Sequence, residues 1–166
     1  DDFLSRLRGM FALALWDERR QRLILARDRL GEKPLYYHVD PSGRLWFSSE
    51  LRSLFQAMAG APQLAPEAFN LFLTFQYLPE PATPVAGVRQ LPAGHYLELT
   101  PANLNAEARS YWDPAALRED PGQPDATVEH ALDEACRLMG TADVPVAVAL
   151  SGGIDSTVVA VLLNKA

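Results

Sequence analysis

Apolar positions follow two rhythms along this chain. In the first half they form short, nearly continuous runs separated by polar turns. "GMFALALWD" and "RLILARD" flank the charged turn "DERRQ", which predicts a hairpin in a sheet covered on both faces. "LYYHV" and "RLWFSS" flank "DPSG", whose turn-forming residues predict a second hairpin. Between the hairpins, Gly31 and Pro34 of "RLGEKP" interrupt any regular element. The spacing then becomes helical. "SSELRSLFQAM" places apolar residues at 51, 54, 55 and 58, with Ser49 as the cap candidate. "PEAFNLFLTFQYL" predicts a second helix with Pro66 in its first turn. The proline-rich run "PEPATPVAGVRQLPAGHYLEL" predicts an ordered, irregular loop that leads into a strand at "HYLEL".

A polar stretch poor in large apolar residues, "WDPAALREDPGQPDAT", marks a domain boundary. We place it so that residues 1–120 and 121–166 belong to different domains. Beyond it, Val128, Ala131, Leu132, Ala135 and Met139 form a helical stripe, with Asp125 or Thr127 as cap and Gly140 as terminator. "VPVAVAL" predicts a buried strand, and "DSTVVAVLLNKA" a buried helix. Helix, strand, glycine loop and helix in that order belong to an α/β nucleotide fold with a parallel sheet. The expected fold class is therefore an α+β antiparallel-sheet domain followed by the start of an α/β nucleotide-binding domain.

Composition narrows the picture. Hydrophobic residues make up 48% and charged residues 22% of 166, as in ordinary globular proteins. The net charge of −6 comes without a basic run, which argues against a nucleic-acid surface. No apolar run is long enough to cross a membrane. The chain does not begin with Met and lacks the order of a signal peptide, so it reads as cut from something longer. Its single Cys excludes a disulfide framework and fits a reducing compartment, the cytoplasm.

The candidate chemistry lies in Ser151-Gly152-Gly153-Ile154-Asp155-Ser156. Two glycines let the backbone turn tightly and approach a ligand without a Cβ in the way. The helix that follows presents free N–H groups and its positive end, which favours phosphate. Ser151 and Ser156 add hydroxyl donors. Asp155 is an anion where phosphate would sit, an arrangement that makes sense if it holds a Mg²⁺ also bound by phosphate oxygens. The sequence contains neither G-x-x-x-x-G-K-[ST] nor G-x-S-x-G, so neither a P-loop lysine nor a nucleophile-elbow serine is present.

"LSGGIDS" resembles the pyrophosphate loop of enzymes that cleave ATP between its α and β phosphates. With "RGMFALALWDERRQRLILARDRLGEKPLYY", "LWFSSELRSL", "FQYLPEPATPVAGVRQLPAGHYLEL", "YWDP" and "DVPVAVALSGGIDS", the whole chain resembles the glutamine-hydrolysing asparagine synthases. The resemblance implies the last part of a class II glutaminase domain joined to the opening of a synthetase domain. It implies a cytoplasmic C–N ligase of asparagine biosynthesis that uses glutamine, aspartate and ATP with Mg²⁺. It implies no nucleic-acid or membrane partner and leaves room for a homodimer. Ser151, Gly152, Gly153 and Ser156 would hold the ATP phosphates, Asp155 the Mg²⁺, and Leu150 and Val148 would border the nucleotide. The family's nucleophile is a Cys at the processed N-terminus, and nothing here matches it, since Cys136 is the only Cys. This segment alone is therefore expected to be inactive in both half-reactions and poorly stable. Two alternatives stay open: a related ligase with a different acceptor (β-lactam-forming, sugar- or peptide-tailoring), and a non-catalytic binding module.

The remaining candidates read as structural. His38, His95 and His130 match no metal spacing. Cys136 reads as a small buried hydrophobe. Trp16, Trp46 and Trp112 read as core or interface anchors. Arg27-Asp28-Arg29 with Gly31, Lys33 and Pro34 reads as a sharp turn pinned by an Arg–Asp cluster. Leu91-Pro92-Ala93-Gly94-His95 reads as a turn near the domain junction.

Overall fold

A computed structural model describes residues 2–58, 63–116 and 126–165. The chain divides into two compact units, Asp1–Leu117 and Arg118–Ala166. The boundary expected at 120/121, and Asp125 as a cap, lie outside the described residues.

Unit one is an α+β domain with two antiparallel sheets. β1 (Ala12–Asp17) and β2 (Arg22–Arg27) form the first expected hairpin, from Ala12 opposite Arg27 to Asp17 opposite Arg22. β3 (Tyr36–Val39) and β4 (Leu45–Ser48) form the second. β5 (Arg89–Gln90) lies within the proline-rich loop and pairs with β3. β6 (His95–Leu99) pairs with β2, and β7 (Arg109–Ser110) with β6. The sheet orders are β1-β2-β6-β7 and β4-β3-β5.

The period of two along β2 and β6 builds the core. Leu25, Leu97 and Leu99 point to one face and pack with Leu35 and Leu91. Ile24 and Ala26 point to the other and meet Leu4 from the 3-10 helix Asp2–Arg6. β2 is thus covered on both faces, as its sequence predicts. β1 departs from that expectation, because Ala14, Leu15 and Trp16 are exposed. It is the edge strand of its sheet, and among the described residues nothing covers that stretch. Trp16 is 48% exposed and is no core anchor here.

α1 (Leu51–Ala57) contributes Leu54 to a third cluster with Val85 and Val88. Its N-cap position is Glu50, without a side-chain cap bond, rather than Ser49. The nearby serine hydroxyl that does bond is that of Ser48, which accepts from the Glu50 N–H at 3.1 Å. α2 (Pro66–Phe75) starts on Pro66 as expected and ends at Gln76 in the left-handed region, φ 61°. α2 buries only Ala68, while Phe69, Phe72, Leu73 and Phe75 are exposed. The loop after α2 is ordered by its own core residues: Thr83 is buried and donates to the carbonyls of Val85 and Val88.

Unit two contains α3 (Ala126–Met139) and α4 (Ile154–Lys165). The helices approach closely where Gly140 follows α3, since a Cβ there would lie 3.3 Å from Leu163 Cδ2. Thr127 lies inside α3 rather than capping it. The helical stripe is largely open, with Val128, Leu132 and Met139 exposed, while Cys136 is buried, as expected of a small hydrophobe. Likewise only Leu162 is buried in α4, and Val158 and Val161 are exposed.

The strand expected at 144–150 does not form. A strand exists through its ladder, and among the described residues no segment pairs with this one. Its apolar residues Val144, Val146, Val148 and Leu150 stand exposed.

Candidate functional site

The loop after residue 150 holds its conformation with its own hydroxyls. Gly152 has φ +82°, a left-handed conformation that side chains rarely adopt, and a Cβ built there meets nothing within 4 Å. Glycine is therefore required by backbone geometry and not by crowding in the unliganded loop. The Gly153 N–H points to Ser151 Oγ at 3.4 Å. Ser151 Oγ lies 3.1 Å from Ser156 Oγ, and Ser156 Oγ donates to the Gly153 carbonyl at 3.2 Å. The Ser151 N–H also donates to Ser156 Oγ, at 3.3 Å. A closed circuit of hydrogen bonds thus joins both serines to Gly153 at the start of α4.

The five residues expected to hold phosphate or metal are adjacent, and the loop they form is largely exposed. Asp155 sits in the first turn of α4, and Leu150 is exposed just before the loop. Thr157, which sequence reasoning passed over, bonds the same Gly153 carbonyl through Oγ1 at 2.8 Å. The signal was its place four residues after Gly153, where a helical Thr reaches back one turn. A cavity of about 440 Å³ lies between α3 and α4 and is lined by Arg137, Thr141, Val148, Leu163 and Asn164 among others. It includes none of residues 151–156. Among the described residues no cluster of three His, Cys, Asp or Glu side chains could hold a metal. A cation at Asp155 would thus draw its other oxygens from phosphate and water, the usual habit of Mg²⁺.

In unit one, the "RDRLGEKP" turn is built differently from the expected Arg–Asp pin. Asp28 is 1% exposed and takes its bonds from the backbone. Oδ1 accepts from the N–H groups of Leu30 and Glu32 at 3.2 and 3.0 Å. Oδ2 accepts from Lys33 and Phe11 at 2.9 and 3.3 Å. Burial pushes the Asp28 carboxyl up, but these four donors together outweigh it and hold it below the usual carboxylate range. Arg27, 4% exposed, donates instead to the carbonyls of Lys33 and Leu91, each at 2.8 Å, and to that of Gly31. Its carboxylate partner is Glu80, 2.5 Å away and 53 residues along the chain. Two separate devices therefore pin the turn: Arg27, the last residue of β2, holds carbonyls, and Asp28, just after it, holds N–H groups. Tyr111 closes the region with a 2.8 Å bond to the Arg27 carbonyl.

His38 and His95 hold backbone carbonyls, of Gly87 at 2.7 Å and of Ala93 at 2.6 Å. The Leu91–His95 segment is the expected turn. Gly94 has φ +65°, and a Cβ there would lie 2.5 Å from the Trp112 carbonyl oxygen. Trp46 packs beside the third core cluster. No described helix is long and apolar enough to cross a membrane.

Comparison with known proteins agrees with this layout. The family model described as glutamine amidotransferase domain matches residues 1–112, and the one described as asparagine synthase matches residues 127–166. The chain is 40% identical over 168 residues to amidase chry2 of Gibberella zeae, covering 98% of this chain and 24% of that one. It is 42% identical over 165 residues to amidase chyE of Penicillium rubens, covering 95% and 24%. It is 32% identical over 160 residues to asparagine synthetase [glutamine-hydrolyzing] 1 of Bacillus subtilis, covering 95% and 25%. The chain thus spans about a quarter of the length of these relatives. With two antiparallel sheets under residues 1–112 and the serine–glycine loop under residues 127–166, the chain belongs to the glutamine amidotransferase domain family and continues into a segment that matches asparagine synthase.

Proposed function

We propose that this chain serves a glutamine-dependent, ATP-driven amide-forming ligase, as the join between its glutaminase and synthetase domains. The domains would divide as 1–120 and 121–166. The observation that carries the reading is the loop 151–156: a glycine in left-handed geometry, hydroxyls gathered at a helix start, and a match to asparagine synthase over the same residues. Gly152, Gly153, Ser151 and Ser156 would surround the phosphates of ATP, with Leu150 beside the nucleotide. Opening the serine circuit would turn both hydroxyls and the Gly153 N–H toward the anion. Thr157, already on the Gly153 carbonyl, would keep that acceptor satisfied. Asp155 would hold a Mg²⁺ against the pyrophosphate, which offsets the repulsion between carboxylate and phosphate.

In the asparagine synthase reading, glutamine hydrolysis supplies ammonia. ATP adenylates the side-chain carboxylate of aspartate and releases pyrophosphate, and ammonia then displaces AMP to give asparagine. The enzyme would work in the cytoplasm, on small molecules, with a homodimer as its assembly. A second reading changes only the acceptor. It is favoured by the identities of 40% and 42% to two proteins named amidases, against 32% to the Bacillus subtilis synthetase.

The test is ATP titration of the intact protein, followed by pyrophosphate release with aspartate and with a panel of other carboxylic acids. Binding of ATP and release dependent on aspartate support the first reading. ATP binding with release on another acid only supports the second. A protein that binds no ATP contradicts both.

A further inference from the structure

α2 is held to unit one with little burial. It buries only Ala68, and no charged residue occurs from Ala68 to Pro79. Its N-terminal approach is tied by two backbone bonds, Ala65 N–H to the Pro84 carbonyl at 3.1 Å and Ala86 N–H to the Gln63 carbonyl at 2.9 Å. Its return is tied through Glu80 and, one residue on, by the Gln90 N–H, which donates to the Pro81 carbonyl at 3.0 Å. One carboxylate oxygen meets Arg27 Nη1 at 2.5 Å, and the other accepts the Ala93 N–H at 2.9 Å.

We propose that Glu80 is a latch that fixes the return of α2 to the sheet, and that it can release α2 without unfolding the sheet. The two partners of the pair stand in unequal positions. Without Glu80, the Arg27 guanidinium keeps the carbonyls of Lys33, Gly31 and Leu91. The Gln90 amide oxygen, turned toward it, lies 3.1 Å from Nη2 and 3.2 Å from Nη1. Glu80 is 31% exposed, so water receives its carboxylate on release. Without Arg27, three backbone carbonyls lose a donor at the junction of β2, the 28–34 turn and the 91–94 turn. Arg27 therefore belongs to the sheet's own framework, and Glu80 to the attachment of α2. This goes beyond the proposed catalytic reading and does not depend on it.

Hydrogen exchange by mass spectrometry on the intact protein separates these roles, with Glu80→Ala, Glu80→Gln and Arg27→Met as variants. In Glu80→Ala, amides of residues 66–80 are expected to exchange on the order of tenfold faster, with β2 and β6 unchanged. Glu80→Gln, which keeps a neutral acceptor, falls between Glu80→Ala and the parent. Arg27→Met accelerates β2 and β6 as well. Equal acceleration of sheet and helix in Glu80→Ala overturns the proposal, as does failure of that variant to fold. Unchanged exchange across 66–80 in both Glu80 variants overturns it too.

Discussion

At Gly152 and Asp28 a single residue sets the behaviour of a whole turn. Gly152→Ala adds a methyl group that meets nothing, so its cost comes from φ +82° alone, about 1–2 kcal/mol locally. The loop is expected to leave that conformation, and ATP affinity to fall by roughly tenfold or more, with little change in melting temperature. Titration calorimetry beside a thermal melt checks both. Asp28 responds to pH. Its folded pKa is held below the ordinary value of 3.8, so its stabilisation is present in full above that value. It is lost as pH falls through the lower folded pKa. Asp28→Asn replaces one acceptor oxygen by a donor facing N–H groups. It is expected to cost about 1.5–3 kcal/mol at neutral pH and to remove this part of the acid sensitivity. Denaturant melts of both proteins at neutral and acid pH give the comparison, and parallel pH dependence in the two would count against this role for Asp28.

Among the elements, those made by local pattern were legible in the sequence, and those that need a distant partner were not. The hairpins follow from short apolar runs and turn residues a few positions apart, so β1–β2 and β3–β4 form as expected. The run "VPVAVAL" has the apolar content of a buried strand, but pairing is nonlocal, and the described residues offer it no neighbour. The same holds for the site. The adjacency of Ser151, Gly152, Gly153, Asp155 and Ser156 is written in consecutive residues. The partnership of Arg27 with Glu80 spans 53 residues and could not be read from "RDRLGEKP". α2 offers a test at this scale. Gln76 closes the helix at φ 61°, a conformation glycine adopts without steric cost. Gln76→Gly is expected to raise stability by about 0.5–1 kcal/mol, seen as a higher melting temperature. A lower one would mean that the Gln76 side chain supports α2 more than its backbone strains it.

For the molecule as a whole, the claim is a division of labour. Unit one, matched as a glutamine amidotransferase domain, supplies two sheets and a turn after β2 that is held by the buried Asp28 and Arg27. Unit two, matched as asparagine synthase from residue 127, carries the loop proposed for ATP. The most direct test is a paired assay of Asp155→Asn in the intact protein: pyrophosphate release with acceptor and ATP, and glutamate release with glutamine alone. A carboxylate beside phosphate needs a cation between them, so neutralising it should weaken metal-bound nucleotide. Pyrophosphate release is expected to fall on the order of a hundredfold or more, with glutamate release close to that of the parent. Near-normal pyrophosphate release, or an equal fall in both activities, would contradict the assignment of this loop to ATP.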